Sequence, residues 1–298
     1  MTEITLLDGS IGQELVRRAG DRATPLWSTS VMLEHRELVR AVHKDYFDVG
    51  ATTATTNTYA VHRDRLPFAN IEDKFEELLD TALCEAEIAR DAHGPGRIAA
   101  SLGPLAASYR PDICPPPAEA APLYRELADL MKDRVDLFLI ETASSVEQAE
   151  GALMGLVDAG KPVWLAVTVM DDDGTRLRSG EQVGDLASIV DKYAPDAVLV
   201  NCSRPEVIET ALDLIKPLGK PFGAYANGFT RISEGFLQDR PTVDALEVRV
   251  DLGPEAYAEF AMTWVDQGAT IVGGCCEVGP AHIAELAKRL RAAGHVIT

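Results

Sequence analysis

Near the C-terminal end, Ala269-Thr270-Ile271-Val272-Gly273-Gly274-Cys275-Cys276 joins a short apolar run, two glycines and two adjacent cysteines. The run reads as a buried strand, and Gly279-Pro280 then opens a helix. The thiols therefore sit at the exit of a strand, where a parallel α/β fold keeps its chemistry. Neighbouring cysteines rarely bridge to each other, because the ring so closed distorts the peptide between them. Two thiols at one point can hold a soft metal such as zinc when a third ligand arrives from elsewhere.

Upstream, the strand-then-helix unit repeats. Apolar and β-branched runs predict strands over residues 4–7, 51–56, 97–102, 136–140, 162–169, 197–200, 221–225 and 270–272. Helical spacing predicts helices over 34–49, 71–92, 119–134, 146–159, 183–193, 205–215, 254–267 and 281–292. In the second of these, Ile71, Phe75, Leu78, Leu79, Ala82, Leu83, Ala86 and Ala89 share one face. Eight such units in roughly 250 to 300 residues predict an α/β fold, a closed (β/α)8 TIM barrel. No Gly-x-Gly-x-x-Gly follows the first strand, which argues against an open dinucleotide-binding sheet. With no linker or low-complexity tract, residues 1–298 are expected to form one barrel domain, and 226–253 a loop insertion after the seventh strand.

The formal net charge of −19 repels phosphate backbones and anionic lipid, so nucleic acid and membranes are excluded as expected partners. The same field mildly favours small cationic ligands. No apolar run approaches the roughly 20 residues that span a bilayer. Met1-Thr2-Glu3-Ile4 shows no basic-then-apolar leader, so the cytoplasm is the expected location. Five cysteines in a large cytoplasmic chain point to metal or catalysis rather than a disulfide framework.

In a barrel of this kind, function lies on the strand ends. Taken in order, these are Asp8, Asn57, Ser101, Glu141, Cys202, Tyr225 with Asn227, and Cys275-Cys276. Cys202 and the cysteine pair end strands separated by one neighbour, so a shared metal on the rim is geometrically reasonable. Cys84, within a helix, and Cys114, in a proline-rich loop, read as a packed thiol and a loop thiol. Glu141 can equally cap the next helix or pair with an arginine, and Asp8-Gly9 can be a turn for backbone reasons alone.

Gly273-Gly274-Cys275-Cys276, followed by Pro280-Ala281-His282-Ile283 and preceded by Asn201-Cys202, resembles the homocysteine S-methyltransferase family. Leu7-Asp8-Gly9-Ser10-Ile11-Gly12, Thr56-Asn57-Thr58-Tyr59, Ser101-Leu102-Gly103-Pro104, Glu141-Thr142 and Tyr225-Ala226-Asn227-Gly228 extend the resemblance over the whole chain. It implies a zinc enzyme on a (β/α)8 barrel that methylates the sulfur of homocysteine. By that resemblance Cys202, Cys275 and Cys276 would be catalytic zinc ligands. Glu141 and the Asp8-Gly9 turn would receive the amino-acid end of homocysteine; Asn57, at its strand end, is a further candidate for substrate binding, with loop support as its other reading. One departure stands out: after the double cysteine the family pattern is Gly-Thr/Ser-x-Pro, and here Glu277-Val278-Gly279-Pro280 puts a charge beside the metal position.

The chemistry suits the residues. Only a thiolate is a good nucleophile, and a free thiol is mostly protonated at neutral pH. Three thiolate ligands leave a fourth position for substrate sulfur and keep electron density on it, whereas a set of histidines suits activated water better. A purely structural zinc would need a fourth protein ligand, and His282 is the only histidine nearby in sequence. The methyl donor is expected to be a small cation, a sulfonium such as S-methylmethionine or S-adenosylmethionine. Pro25-Leu26-Trp27-Ser28 resembles a segment near the substrate site of the S-methylmethionine-type enzymes, and Trp27 and Tyr225 could face a cation. Betaine or a methylcorrinoid donor is the alternative, as is a non-catalytic zinc- and thiol-binding subunit.

Overall fold

The computed structural model describes residues 2–20, 28–237 and 245–298. Eight parallel strands form the ring: β1 (Glu3–Leu6), β2 (Thr53–Thr55), β3 (Arg97–Leu102), β4 (Leu137–Ala143), β5 (Val163–Val167), β6 (Ala197–Asn201), β7 (Phe222–Tyr225) and β8 (Ile271–Val272). From β2 onward each pairs with the next, and β8 pairs with β1. The ring closes where Leu7 bridges Thr53, with Thr52 N–H donating to Leu6 O at 2.8 Å and Asp8 N–H to Thr53 O at 3.1 Å. The (β/α)8 barrel expected from the sequence is therefore the fold.

Each strand after the first is followed by a helix that packs outside the ring. These are α4 (Phe75–His93), α5 (Pro117–Met131), α6 (Val146–Leu156), α7 (Ala187–Tyr193), α8 (Pro205–Ile215), α9 (Pro254–Asp266) and α10 (Pro280–Ala292). Prolines 117, 205, 254 and 280 open four of them, at the position where a missing N–H costs nothing. The first unit departs from expectation. Where one helix was expected over 34–49, β1 is followed by α1 (Ile11–Ala19), α2 (Thr29–Glu34) and α3 (Arg36–Val49). A last strand, β9 (Val296–Ile297), was also not foreseen; it pairs with Glu3 and Ile4 of β1. It seats where β1 and β2 diverge at the N-terminal end of the barrel, and Thr52 Oγ1 donates to Thr298 O at 2.8 Å.

Strand parity sorts the side chains. Outward residues such as Ile98, Ala100, Phe138, Ile140, Val198 and Val200 join the helices in the main core. Inward residues such as Ala99, Leu137, Leu139, Ala197, Leu199 and Tyr225 plug the barrel. Continuing the inward parity by one step carries Ser101, Glu141 and Asn201 to the top of the plug. None of the described helices is long and apolar enough to cross a membrane.

Candidate metal centre and substrate cavity

Cys202 leaves β6 in the left-handed region, φ 46°. Its N–H donates to Tyr225 O at 3.1 Å, and its carbonyl accepts from Asn227 Nδ2 at 2.8 Å. After β8, Gly274 N–H donates to Asp8 O and Cys275 N–H to Ala226 O, both at 2.9 Å. The Tyr257 hydroxyl donates to Gly273 O at 2.6 Å. The backbone thus brings the two strand ends together. Cys275 Sγ lies 2.8 Å and Cys276 Sγ 3.6 Å from Cys202 Sγ. All three sulfurs lie within 4.8 Å of one another.

Three sulfurs bound at about 2.3 Å to one tetrahedral ion stand about 3.8 Å apart, so the cluster needs only small side-chain adjustment to hold a soft metal. Among the described residues no fourth ligand joins them. His282 is turned elsewhere: its Nδ1 accepts from Gly279 N–H at 3.2 Å, and its Nε2 meets Leu252 O at 3.2 Å. Burial alone would raise the Cys202 thiol, but Cys275, Cys276 and the Tyr109 hydroxyl all point at its sulfur and hold it well below the ordinary thiol range. Contact with the Cys202 sulfur, reinforced by burial, pushes Cys275 and Cys276 upward.

The sulfurs open onto a cavity with about 790 Å³ of empty space, part of it continuous with solvent. Asp8, Gly9, Asn57, Ser101, Glu141 and Tyr225 line it together with the three cysteines. Trp27 lies outside the described residues. The described lining holds two carboxylates and no lysine, arginine or histidine. Glu141 is buried; its Oε1 accepts from the Tyr225 hydroxyl at 2.9 Å and its Oε2 from the Ser101 hydroxyl. Burial pushes its pKa up to about 7, against these two hydrogen bonds. Asp8 accepts from Thr55 N–H at 2.7 Å and Thr55 Oγ1 at 2.9 Å, yet burial and the neighbouring Glu141 hold its pKa well above the usual range. Two buried acids facing one cavity with no described base are arranged to receive a cation.

Glycines let these loops interlock. A Cβ on Gly9 would stand 2.0 Å from Val278 O, and one on Gly274 would stand 2.1 Å from Val278 Cγ1. Glu277 has a partner that sequence reasoning missed. Gln13 Nε2 donates to its carboxylate at 2.5 Å, and Gln13 Oε1 accepts its N–H at 2.7 Å. Asn57 accepts from Ser28 Oγ at 2.5 Å. Tyr109, whose hydroxyl lies 3.0 Å from Cys202 Sγ, was also missed; its loop carries no periodic signal.

The sequence profile described as homocysteine S-methyltransferase matches residues 5–290. The chain belongs to the homocysteine S-methyltransferase family. It is 27% identical to homocysteine S-methyltransferase YbgG of Bacillus subtilis, over 97% of this chain and 95% of that one. It is 27% identical to selenocysteine Se-methyltransferase of Brassica oleracea, over 96% of this chain and 88% of the other. The metallated form of the homocysteine methyltransferase MmuM from Escherichia coli superposes with a TM-score of 0.80 at 26% identity, covering 96% of both chains. The apo form of the same enzyme gives 0.71 at 25% identity, over 96% of this chain and 95% of that one. The protein is accordingly a methyltransferase of this family.

Proposed function

We propose that residues 1–298 work as one homocysteine-binding barrel that transfers a methyl group from a sulfonium donor, S-methylmethionine or S-adenosylmethionine, to the thiol of homocysteine, forming methionine. The carrying observation is the pairing of three convergent sulfurs, joined by no fourth described ligand, with a cavity lined by two carboxylates and no described base. Cys202, Cys275 and Cys276 are the residues that would hold zinc. Zinc bound there would keep the acceptor sulfur deprotonated near neutral pH without withdrawing its electron density.

The remaining work falls to the chain. Glu141 and Asp8 flank the α-ammonium of homocysteine, and its positive charge lets both carboxyls ionise in a buried site. Tyr225 and Ser101 hold the Glu141 carboxylate in place through its two oxygens. Asn57 also faces the cavity and is held by the Ser28 hydroxyl, which donates to its Oδ1. The absence of a basic side chain from the described lining favours a cationic donor over an anionic folate-type one. The name of the Brassica relative makes a selenol the natural second acceptor to assay.

The test is a zinc assay on purified protein with homocysteine methylation measured on S-methylmethionine, S-adenosylmethionine and betaine in parallel. About one zinc per chain, with methionine formed from a sulfonium, is the expected result. Turnover on betaine alone would replace the sulfonium with an ammonium donor. Zinc without turnover on any of the three would move the donor to a corrinoid or leave a thiol-binding subunit. Protein that takes up no zinc under reducing conditions would sink the proposal.

A further inference from the structure

Tyr109 is held more firmly than packing alone requires. Its backbone sits at φ 61°, a left-handed conformation that is rare for a bulky side chain and persists only where the surroundings enforce it. The ring meets Phe236 edge to face at 5.8 Å, and the Arg178 guanidinium lies over it at 5.1 Å. Arg178 is anchored in turn by Asp171 at 2.7 Å, whose other oxygen accepts from Ile232 N–H at 2.8 Å. All this bracing delivers one hydroxyl, 3.0 Å from Cys202 Sγ and 3.4 Å from Cys202 O. A phenylalanine would fill the same space. Among the described residues the hydroxyl has no other partner of comparable closeness.

Resting on the metal reading above, we propose that Tyr109 is a positioning residue for the sulfur cluster: its hydroxyl donates to Cys202 Sγ and sets how much negative charge that sulfur presents to the metal. Three thiolates and a substrate thiolate would place four negative charges around one dication. A donor from outside the ligand set spreads part of that charge without taking the substrate's position.

The test compares the full-length wild type with Tyr109→Phe and Arg178→Met. Zinc affinity is read by competition with a chromophoric chelator, and cobalt(II)-loaded protein is read by its sulfur-to-metal charge-transfer band. Tyr109→Phe is expected to bind zinc about 10- to 100-fold more weakly. Its cobalt band should move to longer wavelength, because a sulfur that loses a hydrogen bond gives up electrons more easily. Arg178→Met, which loosens the ring but keeps the hydroxyl, should shift both readouts the same way by less, and it decides the matter should Tyr109→Phe not fold. A Tyr109→Phe protein with wild-type affinity and an unmoved band overturns this inference and leaves the metal reading standing. A wild type that binds neither ion overturns both.

Discussion

The Asn201 side chain grips Thr142 from two strands away, accepting its N–H at 2.9 Å and donating to its Oγ1 at 3.1 Å. Thr142 needs the grip. It sits at φ 61°, where a β-branched residue is strained, and it lies in an irregular stretch of β4 between Ile140 and Ala143. Glu141 stands within that stretch, so the grip on Thr142 steadies the strand end that presents its carboxylate to the cavity. Asn201→Ala would strand a buried N–H, so a loss of about 2–3 kcal/mol in denaturant unfolding is expected, with KM for homocysteine raised several-fold. Wild-type stability in that variant would show the grip to be idle.

Glu141 trades stability for its position. Its pKa of about 7 lies above the usual 4.5, so the folded protein holds a proton that the unfolded chain releases. Stability is therefore lost as pH rises from the usual carboxylate range to about 7, and the loss persists above it. Glutamine imitates the protonated acid and escapes the penalty. The metal-free Glu141→Gln protein is expected to match wild type near about pH 4 and exceed it by about 1–3 kcal/mol near about pH 8. Homocysteine binding should weaken about 10- to 100-fold in the same variant. Unfolding curves at the two pH values that run parallel for both proteins would contradict this.

Gly9 is a contact point between the first and last loops of the site. Gly9→Ala would drive a methyl into Val278 O, so one of the two loops must give way. We expect destabilisation of roughly 2–4 kcal/mol together with fewer metal ions retained per chain. Calorimetry and metal analysis of the same preparation would check the two effects together.

Cys276→Ala tests the cluster with little risk to the fold, since Cys276 lies in a loop beyond β8 rather than in the barrel plug. Zinc content and methyl transfer should both fall to background while the circular dichroism spectrum is retained. A zinc-free variant with full activity would remove the proposed role of the cysteines.

The alternation of apolar runs and amphipathic helices was enough to locate every barrel strand, because strands buried on both sides, such as β4, leave continuous apolar stretches. Strand ends then pointed to Asp8, Glu141 and the three cysteines, which the structure gathers around one cavity. What stayed hidden was local or long-range. α1 contains Gly12 and is only nine residues long, too short for its periodicity to stand out. β9 has two residues. The pairing of Gln13 with Glu277 joins positions 264 apart, and no spacing rule connects them. Tyr109 owes its place to a left-handed backbone angle that its residue type argues against.

β9 has a consequence for the order in which the fold assembles. Glu3 and Ile4 pair with Val296 and Ile297, residues that lie almost the whole barrel away along the chain. β1 must also wait for β8 before it has a neighbour on that side. Such distant pairings carry the largest loop-closure cost and form slowly. Asp8 stands two residues past the end of β1, so the acid that would meet the substrate reaches its place only once the seam is sealed. With β8 out of place, β2 to β7 would form an open sheet with neither a closed ring nor a complete cavity, so sealing of the seam between β1 and β8 separates an aggregation-prone sheet from a working barrel.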